Sequence, residues 1–130
     1  MSFDLGPTLA HWLERNAPVV HDRIVEGDRR GRTALAHPYH HVILPLASRR
    51  DALTELQWGI ADFRRRFGRA PDGMWLPETA VNSTVLSLLC ELGVGFTVLA
   101  PHQVQQAPHT GVVGRLDASS VRVEIGRAHV

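Results

Sequence analysis

The sequence contains little that would indicate secretion, a membrane or nucleic acid. It has one cysteine, Cys90, among 130 residues, which excludes a disulfide framework. No apolar run approaches the roughly 18 residues of a membrane-spanning helix, and the first residues lack the basic and apolar regions of a secretory signal. The net charge of +1 predicts no strongly basic face. We therefore expect a cytoplasmic protein that binds neither a membrane nor nucleic acid.

The order of secondary structure elements favours an α/β fold. Hydrophobic residues make up 44% of the chain and charged residues 21%, and the length suits one domain. Short apolar segments alternate with segments of helical periodicity, which predicts parallel strands joined by crossover helices. The strands are predicted at residues 2–5, 74–76, 95–100 and 120–123, and residues 101–116 are predicted to be a loop.

The clearest helix signal lies in residues 48–68. Ser48 or Asp51 can cap its N-terminus, and Gly68 is suited to end it. Its apolar positions recur at helical spacing and consist of Leu53, Leu56, Ile60 and Phe63.

Three further helices are predicted on the same grounds. Residues 19–32 place Val20, Ile24 and Val25 on one face, and glycines weaken this helix near its end. Residues 8–17 place Leu9, Trp12 and Leu13 at helical spacing, so these three residues should form the apolar side of that helix. Residues 82–93 combine a polar start with an apolar periodic run.

Polar residues follow the predicted strands, where the active residues of a βα barrel lie. Glu78 comes after the strand at 74–76, and His102 comes after the strand at 95–100. Trp75 lies beside Glu78, and an aromatic ring next to a carboxylate suits a sugar site, because rings stack on sugar faces while a carboxylate reacts at the anomeric carbon. The alternative is that Glu78 is a surface residue near a helix N-terminus.

A cluster of histidines, His37, His40 and His41, precedes the short apolar run at 42–46. Three histidines can bind zinc. However, Pro38 disrupts a helix at this point, and the cluster contains no cysteine or carboxylate. We expect these histidines to bind a ligand or to form a polar wall, and we predict no metal and no cofactor.

Several segments resemble glycoside hydrolase family 57. GMWLPETAV resembles the G-x-W-L-(A/P)-E segment of that family, and HPYHHVILPLASRRD resembles its S/Q-P-Y-x-H-x-I-L-P-L segment. SFDLGPTLAHWLE is similar to its second-strand motif, and WGIADFRRRFGRAPDGMWLPE is similar to the helix that leads to the nucleophile. FTVLAPHQ is similar to the strand that follows in the branch with an additional C-terminal domain. The resemblance covers residues 2–104.

The resemblance implies an incomplete (β/α)7 barrel of the glycoside hydrolase and deacetylase type, with retaining chemistry on α-glucans. It assigns Glu78 as the nucleophile, Trp75 as a neighbour of the sugar and His41 as a substrate contact. His37 occupies a position that is usually small or polar in the motif, and we keep His37 and His102 as further candidates for substrate binding.

The resemblance also implies that both ends of the barrel are missing. The first-strand histidine motif should precede Met1, and the Asp acid/base should follow Val123. Residues 1–124 are thus expected to be a fragment of the catalytic barrel with little activity of its own. The last letters, EIGRAHV, match the in-frame translation of a short-read sequencing adaptor, so residues 125–130 are expected to be a non-native tail without packing partners. The alternative is a natural C-terminus.

Three functions stay open at this point. The first is an α-glucan-active glycoside hydrolase or transglycosylase, whose oligomeric state the sequence does not indicate. The second is a metal-dependent polysaccharide deacetylase, which the histidine cluster motivates. The third is a non-catalytic carbohydrate-binding barrel.

Overall fold

The computed structural model describes residues 2–104, 111–115 and 121–125 and shows an α/β fold. The strands are β1 (Phe3–Asp4), β2 (Ala34–Leu35), β3 (Gly73–Met74), β4 (Phe96–Leu99), β5 (Gly111–Arg115) and β6 (Val121–Glu124). The helices are α1 (Pro7–Asn16), α2 (Pro18–Gly31), α3 (Arg49–Phe67), α4 (Ser83–Glu91) and α5 (Pro101–Val104). Single 3-10 turns cover Leu44–Leu46 and Pro77–Thr79.

The first four strands pair in parallel, as the alternation of strands and helices predicts. β1 pairs with β2, and β3 pairs with β4. Helices α1 and α2 connect the first pair, α3 connects β2 to β3, and α4 connects the second pair. A parallel bridge between Ala36 and Met74 joins the two sheets. The carboxyl ends of β2 and β3 therefore lie side by side.

The last two strands depart from the predicted parallel arrangement. β6 runs antiparallel to both β4 and β5, in the sheet order β3-β4-β6-β5. The prediction of a loop over residues 101–116 was wrong, because this segment contains α5 and β5. Five residues separate β5 from β6, and so short a connection suits an antiparallel pair, since parallel strands need a crossover of a dozen residues or more.

The predicted signals at the ends of α3 are confirmed. The Ser48 side chain accepts a hydrogen bond from the Asp51 N–H, and Gly68 ends the helix with a left-handed φ of 69°. Its buried side includes Leu56, Ile60 and Phe63. Helix α4 begins in the same way, with the Asn82 side chain accepting from the Val85 N–H.

Alternate residues of the strands face opposite sides of the sheets, as the pleat requires. The larger core lies between the strands and the helices and includes Ala34, Ala36 and Met74 together with the apolar sides of α3 and α4. A smaller cluster on the opposite face consists of Leu35, Phe96, Val98 and the partly buried Trp75. Trp75 therefore points away from the helices.

Helix α1 packs through small residues rather than through its large ones. Ala10 and Pro7 are buried, whereas Leu9 is 53% and Trp12 57% exposed. The prediction that Leu9 and Trp12 lie on the packed side was therefore wrong. No helix in the described ranges combines the length and the apolar character that a bilayer crossing requires.

The chain continues into the core directly after β6. Ile125 is 9% exposed and belongs to the larger core, and its N–H donates to the Gly95 carbonyl at 3.0 Å. The expectation that the tail lacks packing partners was therefore wrong at its first residue. Residues 126–130 lie outside the described part of the chain.

Candidate active site

Two strand ends bring the predicted carboxylate and one predicted histidine together. The chain leaves β2 toward His37 and His41, and it leaves β3 toward Trp75 and Glu78. His41 Nε2 lies 2.9 Å from Glu78 Oε1. Because a carboxylate oxygen accepts, the imidazole donates in this hydrogen bond. Residues 37 positions apart in sequence thus share one hydrogen bond at the edge of the sheets.

The backbone at Glu78 has an uncommon conformation. Glu78 has a φ of 55° and Thr79 a φ of 52°, so two successive non-glycine residues are left-handed. Each such residue costs about 1–2 kcal/mol, because its Cβ crowds the following carbonyl. Strained backbone of this kind occurs frequently at functional sites. The turn leaves the Glu78 side chain 70% exposed, which makes its carboxylate accessible to a ligand.

His37 supports His41 from the buried side of the site. His37 is 7% exposed, and its Nδ1 lies 2.8 Å from the Pro38 carbonyl. Nδ1 therefore carries the proton, which makes Nε2 the acceptor in the neutral ring. The rings of His37 and His41 are stacked, with centroids 5.6 Å apart and an angle of 26° between their planes. This stacking limits the orientations that are open to His41.

His40 does not belong to the same arrangement. Its Nδ1 donates to Glu55 Oε1 at 2.8 Å, and its backbone N–H donates to Glu55 Oε2 at 2.7 Å. The predicted cluster is therefore divided, with two histidines at the strand ends and the third bound to helix α3. Within the described residues, no group of three or more His, Cys, Asp or Glu side chains is arranged to hold a metal ion.

A cleft of about 330 Å³ opens beside these residues. It is lined by residues 4–9, at the end of β1 and the start of α1, and by His37, Tyr39, His41 and Trp75. The cleft therefore contains an indole, a phenol, two imidazoles and the Asp4 carboxylate, and its His41 is hydrogen-bonded to Glu78. Aromatic faces and hydrogen-bonding side chains in a concave site can bind a sugar ring.

His102 and its neighbour Gln103 occupy different environments. His102 is exposed on α5, and among the contacts of the described residues none joins it to Glu78, His41, His37 or Trp75. The Gln103 side chain donates to the Thr79 carbonyl at 2.9 Å and accepts from the Ala100 N–H at 2.8 Å. Sequence reasoning missed Gln103, because a single glutamine after a strand carries no signal.

A buried carboxylate fixes the start of β2, the strand that leads to His37. Asp28 is 1% exposed and accepts from the Ala34 N–H at 2.8 Å and from Arg69 at 2.8 and 2.9 Å. Burial raises the pKa of Asp28, but the hydrogen bonds and charge of Arg69 and the backbone donors outweigh it, so the pKa lies below its usual value.

Comparison with known proteins connects this geometry to one family. The model of Glycosyl hydrolase family 57 matches residues 2–109. The chain is also 25% identical over 89 residues to alpha-amylase 1 of Dictyoglomus thermophilum. That match covers 68% of this chain and 13% of the amylase, so the chain spans a small part of the relative.

Two solved structures have a similar fold. The 4-alpha-glucanotransferase of Thermococcus litoralis matches with a TM-score of 0.70 and 17% identity, over 92% of this chain and 20% of that protein. A candidate polysaccharide deacetylase of Mycobacterium smegmatis matches with a TM-score of 0.58 and 25% identity, over 72% of this chain and 30% of that protein. Both show an α/β fold in which this chain corresponds to one segment.

Proposed function

Because this chain belongs to glycosyl hydrolase family 57, we propose that it carries the nucleophile of a retaining, α-glucan-active glycoside hydrolase or transglycosylase, and that Glu78 is this nucleophile. The observation that supports the proposal is the 2.9 Å hydrogen bond from His41 to Glu78. The bond joins a solvent-accessible carboxylate to His41, which lines an aromatic cleft at the carboxyl ends of parallel strands.

The proposed reaction has two displacements. In the first, a Glu78 oxygen bonds to the anomeric carbon while the glycosidic C–O bond breaks, and an acid protonates the leaving oxygen. In the second, water or a sugar hydroxyl loses its proton to that same group and attacks the anomeric carbon, which releases Glu78. Attack by water gives hydrolysis, and attack by a sugar hydroxyl gives transfer.

His41 has a direct role in this scheme. Its N–H holds one carboxylate oxygen of Glu78, so that the other oxygen can bond to the sugar. His37 supports the imidazole of His41, and Trp75 offers its ring to the sugar. The role of His102 in substrate binding stays a prediction, and no contact of the described residues supports it.

The general acid is proposed to come from a longer protein. In retaining enzymes the two carboxyl groups lie about 5–5.5 Å apart. We propose an Asp on a strand beyond residue 123, in a (β/α)7 barrel of which this chain forms a part, and we place the protein in the family branch with an additional C-terminal domain. The alpha-amylase and glucanotransferase relatives support an α-glucan substrate.

The test is the Glu78→Gln variant of the full-length protein. Gln keeps the shape of the side chain but cannot act as the nucleophile. We expect turnover of α-glucans to fall by a factor of about 10³ or more, because removal of a single catalytic residue has effects on this scale. The matched control is Glu91→Gln, since Glu91 is exposed and pairs with Arg49 away from the cleft. Turnover of Glu78→Gln within a few-fold of the wild type would overturn the assignment.

The likeness to the candidate deacetylase favours one second function, a metal-dependent deacetylase. His37 and His40 each use Nδ1 for a partner within the protein, which leaves Nε2 of these two rings as the atom that would bind a metal ion. Metal analysis of the purified full-length protein distinguishes the two functions, since a deacetylase of this kind requires a stoichiometric metal ion.

A further inference from the structure

The left-handed turn at Glu78 is bound to a second strand end. Its own hydrogen bonds are local, from the Thr79 N–H to the Leu76 carbonyl at 2.9 Å and from the Ala80 N–H to the Pro77 carbonyl at 3.0 Å. The Thr79 carbonyl instead accepts from the Gln103 side chain, which lies in α5 just after β4. The turn after β3 is therefore connected to the segment after β4.

Both the nitrogen and the oxygen of the Gln103 side-chain amide form hydrogen bonds. Its nitrogen donates to the Thr79 carbonyl at 2.9 Å, while its oxygen accepts from the Ala100 N–H at 2.8 Å. The bond from the Ala100 N–H holds the side chain against its own segment. The amide nitrogen is therefore already in position to donate to the Thr79 carbonyl. A carboxylate at position 103 would keep the acceptor but lose the donor, and it would face a carbonyl oxygen.

The strain of the turn explains why such a bond matters. Two successive left-handed non-glycine residues relax toward other conformations unless their surroundings hold them. Among the contacts of the described residues, His41 holds the Glu78 side chain and Gln103 holds the Thr79 backbone. The two contacts come from different strand ends and restrain two successive residues of the turn.

We propose that Gln103 is a positioning residue for Glu78. It keeps the turn after β3 in its left-handed conformation, and it thereby directs the carboxylate toward His41. The expected effect on catalysis rests on the proposed nucleophilic role of Glu78. The restraint of the turn by Gln103 does not depend on that role. Gln103 is not expected to contact the substrate.

The first measurement is amide hydrogen exchange of the full-length protein with Gln103→Glu. A peptide that spans residues 77–81 should exchange about five-fold faster or more, because exchange reports local opening. Peptides from α3 in the same sample serve as the reference for global stability. The matched control is Gln57→Glu, since Gln57 is exposed on α3, distant in sequence from the turn. Unchanged exchange at residues 77–81 would overturn the proposal, whatever the activity.

The second measurement is steady-state kinetics of the same variants on an α-glucan. Displacement of a reacting group by about 1 Å can cost a factor of 10², so we expect kcat to fall about ten-fold or more while KM stays within about two-fold. Gln57→Glu should keep both constants. Faster exchange with unchanged kcat, in a protein that Glu78→Gln inactivates, would overturn the positioning role. Faster exchange in a protein that Glu78→Gln leaves active would support the hold on the turn and overturn the nucleophilic role of Glu78.

Discussion

Gly59 of helix α3 lies directly against the backbone of His37. A β-carbon at position 59 would overlap the His37 carbonyl oxygen and would lie 3.0 Å from the Pro38 Cα. The glycine therefore allows the helix to approach the strand end that carries the buried histidine. Any larger residue must push the helix and this segment apart.

Gly59→Ala should destabilise the protein for this reason. Overpacking of a tight interface costs about 1–3 kcal/mol, which exceeds the gain of up to about 1 kcal/mol in helix propensity. The measurement is the free energy of unfolding in urea. Gly27→Ala is the matched control, because Gly27 is also helical and has no atom within 4 Å of the added carbon. Equal effects of the two substitutions would contradict the close contact at His37.

His41→Ala should weaken catalysis without changing metal content. The substitution removes the hydrogen bond that orients the proposed nucleophile, and misplacement of a reacting group can cost a factor of about 10². We therefore expect kcat/KM of the full-length protein to fall about ten-fold or more. His40→Ala is the control, because His40 binds Glu55 instead of Glu78. A stoichiometric metal ion that is present in the wild type and lost from His41→Ala would favour the deacetylase function instead.

Asp28 should contribute to stability above about pH 4 and lose this contribution in acid. Its pKa is lower in the folded protein than the reference value of 3.8. Stability therefore falls as the pH drops below that value and through the folded pKa, where the unfolded chain binds more protons.

The Asp28→Asn substitution tests this pH dependence. At neutral pH it breaks a buried ion pair with Arg69 and should cost about 3 kcal/mol or more. It should also make the free energy of unfolding less dependent on pH below about pH 4. Asp22→Asn should change little, since the Asp22 side chain is 79% exposed. An unaltered acid slope in Asp28→Asn would contradict the lowered pKa.

Ile125 should stabilise the fold although it follows the last strand. Ile125→Ala removes a side chain that is 9% exposed, and such truncations cost about 2–5 kcal/mol. Deletion of residues 126–130 should change the free energy of unfolding by less than about 0.5 kcal/mol. Urea unfolding of both variants checks this pair of expectations. A neutral Ile125→Ala would show that the residue is not packed in solution.

The sequence predicts those parts of the fold that depend on residues close together in the chain. Helix α3 was placed correctly because Ser48 and Gly68 have end-specific backbone roles and its apolar residues recur at helical spacing. Strand β2 has only two residues, too few to display an alternating pattern. Strand β5 contains two glycines, and among the described strands its one partner is β6. Its residues therefore read as a loop in the sequence.

The sequence likewise predicted some residues of the candidate site and missed others. A carboxylate after an apolar strand and histidines in a recognised motif indicated Glu78 and His41, and the structure brings these two residues together. Neither the left-handed turn nor Gln103 could be predicted. Glu and Thr carry no preference for positive φ, and the bond from Gln103 to Thr79 depends on which strand ends meet in three dimensions.

The bridge between Ala36 and Met74 forms a seam between the two sheets, and this seam has a mechanical consequence. In the described residues, Ala36 forms the bridge, with its N–H donating to the Gly73 carbonyl and its carbonyl accepting from the Trp75 N–H. His41 lies beyond one side of this seam and Glu78 beyond the other. A small sliding of one sheet past the other would lengthen the distance between them while each sheet keeps its own hydrogen bonds. Heat should therefore break the His41–Glu78 hydrogen bond at temperatures at which the helices are still intact.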